Sequence, residues 1–185
     1  VGNIGFRYYQ ALQKIDNIKS INLYEPDLIT LKNRINSYPK CSGKKLILRE
    51  NLSKDIIESD IVIISTTSSI RYEISKKLIE LGYKGYIILE KILFPDLKTL
   101  IKAEKLFENY PSNIYVNQWM RATPLINIFN NPNLNELVVK GSDLGLLCNS
   151  VHFIDLISGI FDIKDFKIDL EHSNVLNILP SKREG

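Results

Sequence analysis

VGNIGFRYYQAL, residues 1–12, decides how the rest of the chain is read. Gly2 and Gly5 stand at the head of a run able to form a helix, with Asn3 and Ile4 between them. In a dinucleotide-binding turn the chain leaves a parallel strand, turns on glycine, and enters a helix whose first amides face a pyrophosphate. On that pattern Gly2 is the second glycine of G-x-G-x-x-G, where a side chain would meet the ligand. Gly5 is the third, where helix and sheet approach closely. The first glycine and its strand are expected immediately before Val1. Without that strand the opening helix lacks a neighbour, which predicts that the sequence is part of a longer chain. A glycine-rich helix start of no special purpose fits the two glycines equally well.

INLYEPD, residues 21–27, adds weight to the cofactor reading. It is a short apolar strand ending in Glu25, twenty residues after Gly5, where a carboxylate is expected to meet adenosine ribose hydroxyls. Asp27 follows Pro26 and is expected to cap the next helix.

The chain has 185 residues, 44% of them hydrophobic, enough for one substantial core or for one domain and part of another. Its +3 charge comes from 24 basic and 21 acidic residues that are interspersed, whereas a nucleic-acid binder concentrates positive charge in a patch. Cys41 and Cys148 form no metal-spaced pair and suit free thiols in a reducing compartment, so a cytoplasmic location is expected. The longest apolar region, around residues 145–161, contains His152 and Asp155, and no stretch meets the requirement for a membrane span.

Strands and helices alternate along the first two thirds of the chain. An amphipathic helix over residues 3–12 offers Ile4, Tyr8, Ala11 and Leu12 to a sheet. Strands follow over 21–24 and 45–48, separated by a helix carrying Leu31 and Ile35. Ser53 is expected to cap a short helix with Ile56 and Ile57. Residues 60–65, DIVIIS, read as a strand buried on both faces, as in parallel sheets, and end in the polar run Thr66, Thr67, Ser68 and Ser69. A helix over 70–81 stops at Gly82. A buried strand over 86–89 delivers Glu90 and Lys91 at its carboxyl end, and a helix over 96–107 leads to a strand over 113–116.

This pattern predicts an α/β class, a Rossmann-like doubly wound parallel sheet, over residues 1–120. Residues 121–185 read as the start of an α+β substrate or oligomerisation domain. Expected there are a short helix near 125–129, a strand near 136–140, a helix over 147–160 and a strand over 166–170. No internal repeat or low-complexity tract is present.

Four segments in order, VGNIG, ISTTSS, GYIILEKIL and CNSVHFIDL, resemble the glucose–fructose oxidoreductase / inositol dehydrogenase (Gfo/Idh/MocA) family. The resemblance covers the cofactor domain and the beginning of the second domain. It implies an NAD(P)-dependent enzyme moving hydride between nicotinamide and a hydroxyl or carbonyl carbon of a sugar, a sugar derivative or a nucleotide sugar. Glu90-Lys91 resembles the family's EKP segment with Ile92 in place of proline, and the resemblance makes Lys91 catalytic in proton transfer. Its position after a buried strand is compatible with that role, but position alone favours a surface lysine paired with Glu90, and it is the ordered resemblance that favours catalysis. His152 resembles the family's substrate-facing histidine. Many members carry an aspartate four residues earlier, where this chain has Cys148, and a thiol cannot replace an ionised carboxylate. A buried, hydrogen-bonded core histidine is the other reading of His152. Asp155, three residues on, either orients His152 or stabilises helix packing.

Asn117 and Arg121 in VNQWMRATP resemble the segment leaving the cofactor domain, which makes them substrate-binding candidates with Asp155. Arg121 is read equally as a fork for a carboxylate, hydroxyl or phosphate and as an interdomain salt bridge. Trp119 is expected to pack. The cofactor-binding set is Gly2, Asn3, Ile4, Glu25, Thr66, Thr67 and Glu90. Glu25 favours NAD over NADP, because a 2′-phosphate would face like charge. No metal site is expected: His152, Asp155, Cys148 and His172 lack a diagnostic spacing. Ser65 to Ser69 lack the G-x-S-x-G of a serine hydrolase. Pairing of subunits through the second-domain sheet is implied by the resemblance. Two other functions remain open, a dinucleotide-binding regulator without catalysis and a methyltransferase-like protein taking S-adenosylmethionine.

Overall fold

The computed structural model describes residues 1–38, 43–124, 127, 136, 138–140, 146–163 and 167. The chain divides into two compact units, Val1–Asn117 and Gln118–Gly185.

In the first unit the elements run α1 (Asn3–Gln13), β1 (Ser20–Tyr24), α2 (Leu28–Asn36), β2 (Lys45–Arg49), a 3-10 turn (Lys54–Glu58), β3 (Ile61–Ile64), α3 (Ser68–Glu80), β4 (Tyr86–Leu89), α4 (Leu97–Phe107) and β5 (Ile114–Val116). β1 pairs with β2, and β4 lies between β3 and β5, every pairing being parallel. Parallel neighbours need a crossover, and the helices provide it, which makes this a Rossmann-like doubly wound fold. β1 and β3 belong to different sheets.

Local chemistry sets the element ends. The Asp27 and Asp96 side chains accept from the amides of Thr30 and Thr99 and cap α2 and α4. Gly82, at φ 91°, ends α3 in the left-handed conformation that glycine adopts without strain. Ser53 does not cap the 3-10 turn: its hydroxyl bonds the Asp55 carboxylate, which Arg49 also pairs. The polar partner beside it in sequence outcompetes the amides.

Two cores form. Tyr9 from α1, Ile21 and Leu23 from β1, and Leu31 and Ile35 from α2 make one cluster. Ile56, Ile64, Leu78, Tyr83, Ile87 and Leu89 make the other. The inward stripe of α1 is Gly5, Tyr9 and Gln13, one residue round from the expected face, and Ile4 is exposed. Glycine at position 5 lets the helix lie close, and this turns the neighbouring faces outward. Neither β3 nor β4 is buried on both faces, since Ile61 and Tyr86 are about half exposed. The two residues are register partners at the strand starts, away from the packed layer.

In the second unit the described residues carry one long helix, α5 (Leu146–Phe161). Residues 136 and 138–140 are not in a strand. The expected strand at 166–170, His172, Cys41, the Cys148 side chain and most of the short helix near 125–129 lie outside the described residues.

Candidate active site

Parallel strands place their carboxyl ends along one edge, where open α/β sheets bind ligands. Along that edge stand Glu25 after β1, Thr66 and Thr67 after β3, Glu90 and Lys91 after β4, and Asn117 after β5. The Gly2 turn joins them, because Val1 lies beside the Glu25 carboxylate.

The start of α1 carries little of its own protection. Gly2 is the N-cap and offers no side-chain hydrogen bond, so the first-turn amides have no cap of the kind found at α2 and α4. A Cβ built on Gly2 meets nothing within 4 Å, so no protein atom requires glycine there. A Cβ on Gly5 would lie 2.6 Å from Ser65 Oγ, so this glycine is where helix meets sheet. Arg34 braces the turn, donating to the Val1 carbonyl at 3.2 Å and to Asn3 Oδ1 at 3.3 Å, with its guanidinium over the Phe6 ring. Ile4 shares the turn and is exposed.

Glu90 is a hub. Its carboxylate is buried, and one oxygen accepts from the Tyr8 hydroxyl and from Asn117 Nδ2, the latter at 2.7 Å. Three elements, α1, β4 and β5, are tied by one side chain. Burial, the hydrogen bond to Glu90 and its charge all push the Tyr8 phenol up from its ordinary value. Lys91 next to it is half-buried, and the peptide bond after it is cis. Thr66 donates to the Thr67 carbonyl, and the Thr67 and Ser69 hydroxyls lie 3.0 Å apart.

Behind this edge lies Arg71 of α3, 2% exposed, whose guanidinium donates to four backbone carbonyls, those of Thr66, Glu90, Ile92 and Leu93. Burial lowers its proton affinity, and the Glu90 charge opposes that.

In the second unit His152 is 5% exposed, and its Nδ1 lies 2.8 Å from Gln118 Oε1. With the amide oxygen as acceptor, Nδ1 carries the proton and Nε2 is the basic nitrogen of neutral imidazole. Trp119 meets the ring edge-on at 6.0 Å and is 47% exposed, so the expected packing is only partial. Arg121 grips Asp155 by Nη2 to Oδ1 at 3.0 Å and Nε to Oδ2 at 3.1 Å, and also reaches the Asp155 carbonyl at 2.9 Å. This salt bridge lies within the second unit. Among the described residues no group of three or more His, Cys, Asp or Glu is placed to hold a metal ion, and no helix is long and apolar enough to cross a membrane.

Sequence reasoning missed Tyr8 as a hydrogen-bonding residue, Arg34, Arg71 and Gln118. The one available signal was in α3, where Arg71, Ser75 and Leu78 share the inward stripe and two of the three are polar.

No protein-family model matches the chain, and no curated protein sequence does. Solved structures do share its fold. It is similar to the dehydrogenase MviM of Clostridium difficile, with 18% identity over 87% of this chain and 55% of that one, TM-score 0.63. It is similar to myo-inositol 2-dehydrogenase of Lactobacillus plantarum, with 18% identity over 86% and 53% of the two chains, TM-score 0.63. It is also similar to the WlbA dehydrogenase of Chromobacterium violaceum, solved with NADH and UDP-GlcNAcA. There the identity is 20% over 70% of this chain and 36% of that one, TM-score 0.55. The chain therefore spans between about a third and just over half the length of these proteins.

Proposed function

We propose that the chain belongs to an NAD-dependent oxidoreductase of the Gfo/Idh/MocA type acting on a sugar, a sugar derivative or a nucleotide sugar. In this reading residues 1–120 hold the cofactor and residues 121–185 begin the substrate and oligomerisation domain. The protein is cytoplasmic, assembles with its own copies and has no nucleic-acid partner. The observation that carries the reading is the start of α1. An uncapped helix N-terminus, a glycine that no protein atom demands and the carboxylate of Glu25 stand at one turn. A dinucleotide uses all three, the amides for pyrophosphate and the carboxylate for ribose.

NAD, when bound, supplies the hydride chemistry. The backbone of Gly2, Asn3 and Ile4 holds the phosphates, Glu25 accepts from the ribose hydroxyls and disfavours a 2′-phosphate, and Thr66 and Thr67 border the nicotinamide side. Glu90 acts from behind by fixing Tyr8 and Asn117. Lys91 exchanges a proton with the reacting hydroxyl of the substrate. His152, its Nδ1 anchored on Gln118, assists through Nε2. Arg121, held by Asp155 through Nε and Nη2, binds the substrate with its remaining donors, and Asn117 is a further substrate-binding residue.

The neighbours include a protein named for myo-inositol and one solved with UDP-GlcNAcA, so cyclitols and nucleotide sugars head the substrate panel. The test uses the full-length protein, with NAD binding by calorimetry and cofactor reduction followed at 340 nm. Turnover lost in Lys91→Ala with NAD binding retained supports the oxidoreductase. Ile92 and Cys148 depart from the family's active-site pattern. Tight NAD binding without turnover on the whole panel would accordingly favour the regulator.

A further inference from the structure

We propose that Arg71 is a positioning residue for Lys91, an inference resting on the function proposed above. Burying a guanidinium is costly unless its donors are matched, and Arg71 forms no ion pair among the described residues. Backbone carbonyls take that place at Nη1 and Nη2, while Nε is buried without a hydrogen-bond partner among the described residues. The last ladder bond of β4 is from the Glu90 amide to the Ile64 carbonyl, and past it the chain leaves the sheet. The carbonyls of Glu90, Ile92 and Leu93 then converge on Nη1, while Thr66 accepts from Nη2. Three of the four residues 90–93 are thus fixed through their backbone, and Lys91 lies among them.

The fourth carbonyl matters as much. Thr66 follows the end of β3, so the guanidinium joins the segments leaving two neighbouring strands and sets the distance between the Thr66–Thr67 turn and the lysine segment. The planar fork of arginine serves several acceptors at once from a fixed frame, which one ammonium group does not reproduce. Its carrier is also held, since Arg71 belongs to α3, whose Leu78 is fully buried in the core with Ile64, Ile87 and Leu89. Lys91 therefore owes its place to a helix 20 residues upstream.

The test needs no substrate. The full-length protein is acylated briefly with acetic anhydride, with and without NAD, and the reaction of Lys91 is read by peptide mass spectrometry against exposed Lys45. The expected result is that NAD slows Lys91 acylation at least about five-fold in the native protein. In Arg71→Met, which keeps volume and removes every donor, that protection falls below about two-fold, with NAD affinity within about three-fold of native. A merely structural role would lower thermal stability and leave protection intact, and that outcome overturns the inference. Loss of NAD affinity by more than about ten-fold also overturns it, because Arg71 would then serve the cofactor rather than the lysine. Should Arg71→Met fail to fold, Arg71→Lys decides: protection reduced at least about two-fold supports positioning, and native protection overturns it. NAD that does not bind the native protein, or binds without shielding Lys91, defeats the proposed function itself, and the role of Arg71 falls with it.

Discussion

Gly5 and Ser65 face each other so closely that a single methyl group on the glycine would come within 2.6 Å of the serine hydroxyl. Alanine at position 5 gains helix propensity, roughly 1 kcal/mol at most, and loses more to overpacking, roughly 1–3 kcal/mol. Gly5→Ala is expected to be destabilised by about 1 kcal/mol in urea unfolding. Combined with Ser65→Ala, the same change should become neutral or stabilising. A single variant as stable as native, or a double variant with no recovery, would show that the contact is not the constraint.

Gly85 faces a tighter limit. Its added Cβ would lie 2.4 Å from Tyr83 Oη and 2.6 Å from the Asp60 carbonyl oxygen. The ring can shift, but the carbonyl belongs to the backbone and accepts from the Tyr86 amide. Gly85→Ala should cost about 3 kcal/mol, the upper end for overpacking. Tyr83→Phe should recover only part of that loss. Full recovery would mean that the backbone oxygen exerts no pressure.

Alkaline pH should weaken the first unit. Burial raises Tyr24, Tyr8 and Tyr83 above the ordinary tyrosine value of 10.0, and Tyr110 to about 12. Their protonated forms are favoured in the folded state, so their contribution is fully present below pH 10 and is lost as pH rises through the folded values. Ultraviolet titration at 295 nm should show the signal of Tyr8, Tyr24, Tyr83 and Tyr110 appearing only above pH 10, together with unfolding. Glu90→Gln, which removes a neighbouring negative charge, should bring Tyr8 down. Nine tyrosines titrating together in the folded protein would contradict the burial described.

Cofactor choice should move with Glu25. Glu25→Ser removes the charge that opposes a 2′-phosphate, and the ratio of NADP to NAD affinity should rise about ten-fold, a change of roughly 1.4 kcal/mol. Calorimetry with both dinucleotides measures it. An unchanged ratio would remove Glu25 from the ribose position.

The strand–helix alternation was legible because each element carries its own period and stop signal. Asp27 and Gly82 marked their boundaries correctly. The face of α1 was misread because Gly5 has no hydrophobic signature, although its smallness sets which side approaches the sheet. Hydrogen-bond partners were not legible at all. Glu90 meets Tyr8 across 82 residues, and His152 meets Gln118 across 34, and no periodicity encodes such pairs. Arg71 was passed over because a lone arginine on a helix is ordinarily solvated, and only the carbonyls of a distant segment make its burial tolerable.

Adjacent residues on α1 answer to different halves of the first unit. Tyr9 belongs to the cluster over β1 and β2, while the hydroxyl of Tyr8 is tied to the end of β4, in the other sheet. The helix thereby ties the β1 cluster to the carboxyl end of β4 through two consecutive residues. Native-state hydrogen exchange should report the consequence: truncating Tyr8 to phenylalanine should speed exchange at the end of β4, while truncating Tyr9 to alanine should speed it in β1 and α2.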